Sequence, residues 1–186
     1  SDYVADYISG LGTREVFLVT GGACVHLVDS IGKHKNLSYV CVQHEQAGAM
    51  AAEAYSRVGP GIGVAIATSG PGATNFITGI CCAWFDSIPV LYISGQVNVG
   101  EQKGNTGVRQ LGFQETDIIE IVRPITKFSA QITDPQKIKY FLDKAVSEAR
   151  SGRPGPVLLD IPLNVQHAEI DPDKLEGYKP QPEPDK

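Results

Sequence analysis

A glycine-rich run in the first half of the sequence could bind an anion. Residues 68–75 read Thr-Ser-Gly-Pro-Gly-Ala-Thr-Asn and stand between a predicted strand and a predicted helix. Such turns often hold anions on backbone N–H groups at a helix N-terminus. The run lacks the third glycine of the dinucleotide-binding fingerprint and the lysine of the Walker loop. On its own, it also fits a purely structural turn.

Glu45 is the carboxylate whose position is most compatible with chemistry. It follows Gln43 and His44 where another predicted strand leads into a helix of small residues. One interpretation is a first-turn carboxylate that the helix dipole stabilises. The other is a carboxylate in an apolar setting, which can share a proton with a ligand. Position alone leaves both interpretations open.

A third junction, Thr20-Gly21-Gly22, follows the first predicted strand. In open α/β sheets, ligands bind beyond the carboxyl ends of the strands. If the strands are parallel, all three junctions lie at one edge of the sheet. We therefore expect a binding site there.

The elements that position these junctions follow from hydrophobic periodicity. Apolar runs rich in β-formers predict buried strands, and stripes with i, i+3, i+4 spacing predict helices between them. The strands are expected at 15–19, 38–42, 62–68, 89–94 and 156–161, and the helices at 2–11, 25–31, 44–57, 73–84, 116–121 and from Asp134 onward. This alternation predicts an α/β fold, a doubly wound, mainly parallel sheet with helices on both faces.

Two segments stand out from this pattern. The helix at 44–57 carries many small side chains, so we expect it to pack on two sides. Together with the stripe near Trp84, it could form a two-fold contact between chains, although both also fit an ordinary core. The long polar loop at 95–112 is typical of a functional or mobile segment.

Composition excludes several classes of function. The 186 residues suit one domain, and the net charge of −5 without a basic cluster argues against a nucleic-acid surface. No apolar stretch is long enough for a membrane span, and no signal peptide is apparent, so we expect a cytoplasmic protein. The four cysteines lack C-x-x-C spacing and the histidines lack ligand spacing, which predicts reduced, mostly buried thiols and no metal site.

Six runs in order resemble one family, the acetolactate synthase-like thiamine diphosphate enzymes. The similarity covers roughly residues 1–175. The runs are Gln-His-Glu-Gln-Ala at 43–47, Ala-Glu-Ala-Tyr-Ser-Arg at 52–57, the glycine-rich run at 68–75, the strand ending in Gly-Gln at 88–96, Gly-Phe-Gln-Glu at 112–115, and 151–162, which ends in Asp-Ile-Pro. The resemblance implies the thiamine diphosphate-binding fold, with a pyrimidine-binding domain at 1–170 and a linker to a central domain at 171–186.

The resemblance also implies roles for residues around the cofactor. Glu45 matches the glutamate that hydrogen-bonds N1′ of the cofactor pyrimidine and favours its imino tautomer. By the same match, Pro71 and Asn75 are expected on the pyrimidine side. Gly21 and Gly22 are expected close to the thiazolium, where a side chain would be in the way.

Three further residues are expected near the substrate. Gln114 would face the reacting centre, with Phe113 beside it. Lys127 matches a family lysine near the substrate entrance, although a solvated surface lysine is an equally good interpretation. Two departures from the family leave substrate choice open, since Thr20 replaces a proline and the loop at 98–108 is longer or altered.

Part of the family's site has no counterpart in this sequence. The family holds the diphosphate and Mg²⁺ in a separate domain through a Gly-Asp-Gly stretch, which is absent here. Its active site lies between two chains, so we expect a homodimer or homotetramer, and a chain that is inactive alone. The family binds FAD largely in its middle domain, so the resemblance leaves an FAD requirement open.

Three functions remain after this comparison. The first is the cofactor-activating domain of a synthase that decarboxylates pyruvate and joins it to a second 2-keto acid. The second is the same domain in a decarboxylase or lyase without ligation. The third is a non-catalytic binding module, against which the presence of Glu45 argues.

Overall fold

A single parallel sheet organises the chain. The computed structural model describes residues 1–180. Six strands form the sheet in the order β2-β1-β3-β4-β6-β5, and every neighbouring pair is parallel. The strands are β1 (Glu15–Leu18), β2 (Ser38–Cys41), β3 (Gly63–Ala67), β4 (Val90–Gln96), β5 (Phe128–Gln131) and β6 (Val157–Pro162).

Helices connect the strands and cover both faces of the sheet. They are α1 (Asp2–Gly10), α2 (Val25–Lys33), α3 (Glu45–Val58), α4 (Pro71–Thr74), α5 (Ile77–Asp86), α6 (Ile118–Val122), α7 (Ile138–Arg150) and α8 (Leu163–Gln166). Five short 3-10 turns complete the described elements. The predicted doubly wound α/β fold is confirmed.

Alternating strand residues divide the interior into two cores. In β3 and β4, Val64 and Leu91 face a core shared with α1, α2 and α7, while Ala65 and Tyr92 face a core shared with α3, α5 and α6. Successive side chains of a strand point to opposite faces, so a buried strand must be apolar throughout. This requirement explains the unbroken apolar runs in the sequence.

The small residues of α3 allow close contacts on two sides, as predicted. A Cβ atom at Gly79 of α5 would come within 2.4 Å of the Ala49 Cβ, so the two helices touch at this point. A Cβ atom at Gly63 of β3 would come within 1.8 Å of the Ala52 carbonyl oxygen. Larger side chains would push α3 away from the sheet and would move its first residue, Glu45.

The strand order creates a switch point between β1 and β3. From β1 the chain passes to β2 on one side and then returns to β3 on the other. The connections on either side of this point leave the sheet in opposite directions, so a crevice opens beyond the strand ends. The three junctions singled out in the sequence all border this crevice.

Three local predictions differ from the structure. The edge strand β5 was not predicted, because it has only four residues and all of them are half-buried. The single helix predicted over 73–84 is divided at Asn75 and Phe76, whose ψ angles of −14° and −21° are those of a 3-10 turn. All four thiols are free, but only Cys24 is buried.

The described part of the predicted linker lies against this domain. Leu175 belongs to the core, and the Tyr178 backbone N–H donates to Asp143 of α7 over 3.2 Å. Residues 181–186 lie outside the described residues. The boundary expected at 170 therefore stays a prediction.

Candidate functional site

Thr68, the first residue of the glycine-rich run, for which no role was predicted, joins the ends of β1 and β3. Its hydroxyl oxygen accepts a hydrogen bond from the Ala23 backbone N–H over 3.1 Å. A Cβ atom at Gly21 would come within 2.4 Å of the Thr68 Cβ, so the β1 turn needs glycine for this contact. At Gly22, by contrast, a Cβ atom would meet nothing within 4 Å. The turn is therefore packed on one side and open on the other.

Glu45 begins α3 at the edge of this crevice. The residue is half-buried, and the preceding His44 caps the helix by accepting the Gln46 N–H on Nδ1 over 3.2 Å. Asn75 donates from Nδ2 to Glu45 Oε2 over 2.8 Å. Among residues 1–180, no hydrogen-bond partner faces Glu45 Oε1. A carboxylate held by one oxygen can offer the other to a proton or an N–H group of a ligand.

Gly72 keeps the space beside the free oxygen of Glu45 open. A Cβ atom there would approach Glu45 Oε1 to 3.3 Å and the Thr68 Cγ2 to 2.8 Å. Gly72 lies in α4, which begins at Pro71, so the glycine-rich run passes directly in front of the carboxylate. The structure thus brings Glu45, Pro71 and Asn75 together, although they come from two separate junctions.

The thiol of Cys24 lies beneath the same turn and is inert. Cys24 is fully buried, and its Sγ lies 3.4 Å from the Gly21 carbonyl oxygen. Burial raises the pKa of Cys24 to about 11, and the negative charge of Glu45 adds to the effect, while hydrogen bonds oppose it. The thiol therefore stays protonated near neutral pH, which rules it out as a nucleophile.

Gln114 reaches the same region from the long polar loop. It adopts a φ of +57°, which is uncommon for a residue other than glycine. A Cβ atom at Gly70 would come within 2.7 Å of the Gln114 carbonyl oxygen, so the loop rests directly on the turn before Pro71. The neighbouring Phe113 is 81% exposed. The structure places Gln114 beside the glycine-rich run and leaves the Phe113 ring in solvent.

Lys127 lies far from these residues within the chain. It directly precedes β5, at the amino ends of the strands, and its Nζ donates to the Ser151 carbonyl oxygen over 2.5 Å. Glu45 follows β2, at the opposite edge and the opposite end of the sheet. One chain therefore does not bring Lys127 and Glu45 into one site.

A second carboxylate, which sequence analysis did not single out, is enclosed between β4, β6 and β5, towards the carboxyl ends of these strands. Asp160 of β6 is 1% exposed and accepts hydrogen bonds from Ser94 Oγ, Gln131 Nε2 and Gln96 Nε2 over 2.6, 2.8 and 3.2 Å. Burial raises the pKa of Asp160 to about 6, although these three donors favour the ionised form. An aspartate inside the apolar run Val-Leu-Leu-Asp-Ile-Pro was the signal that could have found it.

The described residues contain neither a cluster of metal ligands nor a membrane-spanning helix. Within residues 1–180, no group of three or more His, Cys, Asp or Glu side chains is placed to hold a metal ion. No helix in that part of the chain has the length and apolar character needed to cross a membrane. The crevice around Glu45 is thus the best candidate for the functional site.

Comparison with known proteins identifies the family of the chain. The family model described as thiamine pyrophosphate enzyme, N-terminal TPP binding domain, matches residues 1–121. An acetolactate synthase large subunit from Corynebacterium glutamicum is 43% identical over 89% of this chain and 26% of its own length. The chloroplastic acetolactate synthase 2 of Nicotiana tabacum is 39% identical, over 96% and 27% respectively, and the large subunit of Lactococcus lactis is 38% identical, over 91% and 28%.

The chain spans about a quarter of the length of these curated relatives. The matched residues contain the β1, β2 and β3 junctions, the glycine-rich run and Gln114. The chain therefore belongs to the family of N-terminal TPP-binding domains of thiamine pyrophosphate enzymes, in the branch that resembles the acetolactate synthases.

Proposed function

We propose that Glu45 is the activating carboxylate of a complete acetolactate synthase-like enzyme, to which this chain contributes the pyrimidine-binding half of the site. The complete enzyme would decarboxylate pyruvate and join the product to a second 2-keto acid. The observation that carries the proposal is the pairing of Glu45. One oxygen is held by Asn75 at 2.8 Å, and the other faces space that Gly72 leaves open.

The surroundings of Glu45 fit an aromatic nitrogen heterocycle. A ring can lie flat against backbone only where side chains are small or absent, and Gly22 and Gly72 meet that need. Pro71 would offer an apolar surface to the pyrimidine. Asn75 would orient the Glu45 carboxylate towards the pyrimidine ring. Gly21 would contribute indirectly, because its packing against Thr68 sets the position of Gly22.

Bound thiamine diphosphate supplies the carbanion stabilisation that decarboxylation of a 2-keto acid requires. The task of the protein at this point is proton placement. Glu45 would share a proton with N1′ of the pyrimidine, and half-burial limits competition from water for that proton. Because Asn75 donates to Oε2, it leaves Oε1 as the oxygen for this exchange.

Gln114 and Phe113 would lie on the substrate side of the site. Gln114 rests on Gly70, at the start of the glycine-rich run, and its side-chain amide could donate a hydrogen bond to a 2-keto acid. The exposed ring of Phe113 would close the site once the rest of the enzyme covers it. Both assignments come from the family resemblance, and the position of Gln114 beside the run supports the first.

The remainder of the site would come from other parts of the enzyme. The sequence has no Gly-Asp-Gly stretch, so we assign the diphosphate and Mg²⁺ to a separate domain. A site between chains requires a homodimer or homotetramer, and only from a second chain could Lys127 approach the substrate.

A flavin absorbance spectrum of the complete protein decides whether FAD is also bound. A cytoplasmic location stays a prediction, since several relatives are described as chloroplastic.

The test replaces Glu45 by glutamine in the complete protein. Glutamine keeps the shape of the side chain but cannot exchange a proton, so pyruvate turnover should fall at least about 100-fold. Calorimetry should still detect binding of thiamine diphosphate with Mg²⁺, and this chain alone should bind the cofactor negligibly. Glu148→Gln is the matched control, because Glu148 is also a half-buried helical glutamate but lies near the amino ends of the strands.

Two results would contradict the proposal. Normal turnover in the Glu45→Gln enzyme would mean that Glu45 is not the activator. Absence of cofactor binding by the complete wild-type protein would instead favour the non-catalytic binding module. Product analysis separates the remaining pair of functions, since a synthase releases a carboligated acid and a decarboxylase releases an aldehyde.

A further inference from the structure

The loop between β4 and α6 has no apolar core of its own to hold it. All residues from 104 to 111 are exposed, including Val108 and Leu111, and most of them are polar or glycine. A segment of this kind has little buried apolar area to offset its conformational entropy. Yet it delivers Gln114 to the glycine-rich run at a positive φ. Some other interaction must therefore order the loop.

Glu115 provides that interaction from inside the loop. Its Oε1 accepts the Lys103 backbone N–H over 2.7 Å, and its Oε2 accepts the N–H groups of Leu111 and Gly112 over 3.0 and 3.4 Å. Both oxygens are thus used, and together they connect the two ends of the exposed segment. Burial opposes ionisation of Glu115, but the three backbone donors and the Lys103 charge outweigh it, so its pKa lies below the ordinary value.

The residues on either side of Phe113 and Gln114 are anchored to the sheet. A Cβ atom at Gly112 would come within 2.7 Å of the Val97 Cγ2, so Gly112 packs directly against the end of β4. On the other side, Gln96 Nε2 donates to the Thr116 carbonyl oxygen over 2.9 Å. Gln114 therefore lies within the five-residue span 112–116, whose two ends are fixed, and Glu115 ties that span to the exposed segment.

We propose that Glu115 is a positioning residue, whose carboxylate orders the exposed segment and so holds Gln114 against Gly70. Both of its oxygens bind backbone N–H groups of the loop, so it acts through the backbone that carries Gln114. The inference rests on the proposed function of Gln114. Both oxygens are required, because one binds the start of the segment and the other binds its end.

The test measures loop order and turnover in the same variants of the complete protein. Glu115→Gln keeps the size of the side chain but replaces one acceptor oxygen by an NH₂ group. Hydrogen exchange of the Lys103, Leu111 and Gly112 amides should become at least about tenfold faster, since a hydrogen bond to a charged acceptor is lost. Glu115→Asp keeps both acceptors and should restore part of this protection.

Turnover supplies the readout that a merely structural role would not change. In Glu115→Gln, kcat/KM for the 2-keto acid should fall about tenfold, while the Kd for thiamine diphosphate stays within about twofold. Glu101→Gln is the matched control. It removes one negative charge from the same loop, at an exposed side chain that has no hydrogen-bond partner among the described residues.

Two outcomes would overturn the inference. In the first, the three amides exchange in Glu115→Gln at the rate seen in Glu101→Gln. In the second, exchange accelerates but kcat and KM keep their wild-type values, so that the carboxylate orders the loop without positioning Gln114. Failure of the proposed function is distinguishable from both outcomes. In that case, the Glu45→Gln enzyme would turn over pyruvate at the wild-type rate, whatever Glu115→Gln does.

Discussion

Glu45 and Asp160 are two carboxylates towards the carboxyl ends of the strands of one sheet, and they differ in how many of their oxygens have hydrogen-bond donors. Asp160 is enclosed by β4, β5 and β6 and accepts hydrogen bonds from three side chains. Glu45 lies past the end of β2, half-buried, with one side-chain donor on one oxygen. Both oxygens of Asp160 thus have donors and the residue is buried, whereas Glu45 Oε1 has no hydrogen-bond partner among residues 1–180.

The comparison shows that burial alone does not identify a binding carboxylate. Asp160 is the more buried group and the one whose pKa is raised, which are common marks of a functional site. Its partners, however, all belong to the strands that it joins. A buried charge that is fully hydrogen-bonded holds structure together, while a carboxylate with an unused oxygen beside glycine can act on a ligand.

The largest expected difference between the two residues is in stability. Replacing Asp160 by alanine removes the acceptor of the buried Ser94 hydroxyl, of one N–H of the buried Gln96 amide and of the half-buried Gln131 amide. We expect the free energy of unfolding to fall by about 3 kcal/mol. Glu45→Ala should lower it by less than about 1 kcal/mol, because that side chain is half-buried. Urea denaturation of both variants measures the difference, and equal losses would contradict the structural role of Asp160.

The second expected effect is a pH dependence that belongs to Asp160. Its pKa of about 6 in the folded protein lies above the ordinary 3.8, so the folded state binds the proton more tightly than the unfolded state does. Stability should therefore decrease as pH rises through this interval and level off above pH 6. Between pH 5 and pH 7, the loss should be about 1 kcal/mol.

Asparagine at position 160 is the matched variant for this measurement. It has nearly the same shape but no ionisable group, so the part of the pH dependence that comes from Asp160 should vanish. Thermal unfolding followed at several pH values gives the comparison. An identical pH profile in Asp160→Asn and wild type would mean that this carboxyl does not titrate in the folded protein as described.

The smallest expected effect concerns the side chain that orients Glu45. Asn75→Ala removes the hydrogen bond to Oε2 but leaves the carboxylate itself in place. The Kd of the complete protein for thiamine diphosphate should rise about fivefold, the usual range for one hydrogen bond, and stability should change by only a few tenths of a kcal/mol. Asn36→Ala serves as a control for amide loss, since Asn36 is exposed and precedes β2, at the amino ends of the strands. If calorimetry finds no change in Kd for Asn75→Ala, Asn75 does not position the carboxylate.

Local patterns were sufficient for most of the fold. Five of the six strands and the main helices follow from apolar runs and helical stripes, because a parallel sheet covered on both faces requires them. Strand β5 was not predicted, since Phe128–Gln131 is a short edge strand without an apolar run. The break in the helix at Asn75 was not predicted either, because the apolar periodicity of so short a segment does not distinguish an α-helical turn from a 3-10 turn.

The candidate site was predictable only in part, because some of its residues depend on partners far away in the sequence. Gly21, Gly22, Glu45 and Pro71 stand at strand-to-helix junctions, and the sheet topology must bring such junctions to one edge. Thr68 and Asp160 gave weaker signals, because their importance comes from partners elsewhere in the chain. Lys127 resembles the family lysine in sequence, but it lies at the opposite end and the opposite edge of the sheet from Glu45.

The sequence by itself determined the order of the elements, the apolar strands and the residues at each junction, since these depend on neighbours a few positions apart. Only the tertiary structure decided which carboxylate is saturated and which is free. Asn75 reaches Glu45 from 30 residues away, and Gln96 and Gln131 reach Asp160 from 64 and 29 residues away. Hydrogen bonds across such separations depend on strand register and helix packing, which no local pattern contains.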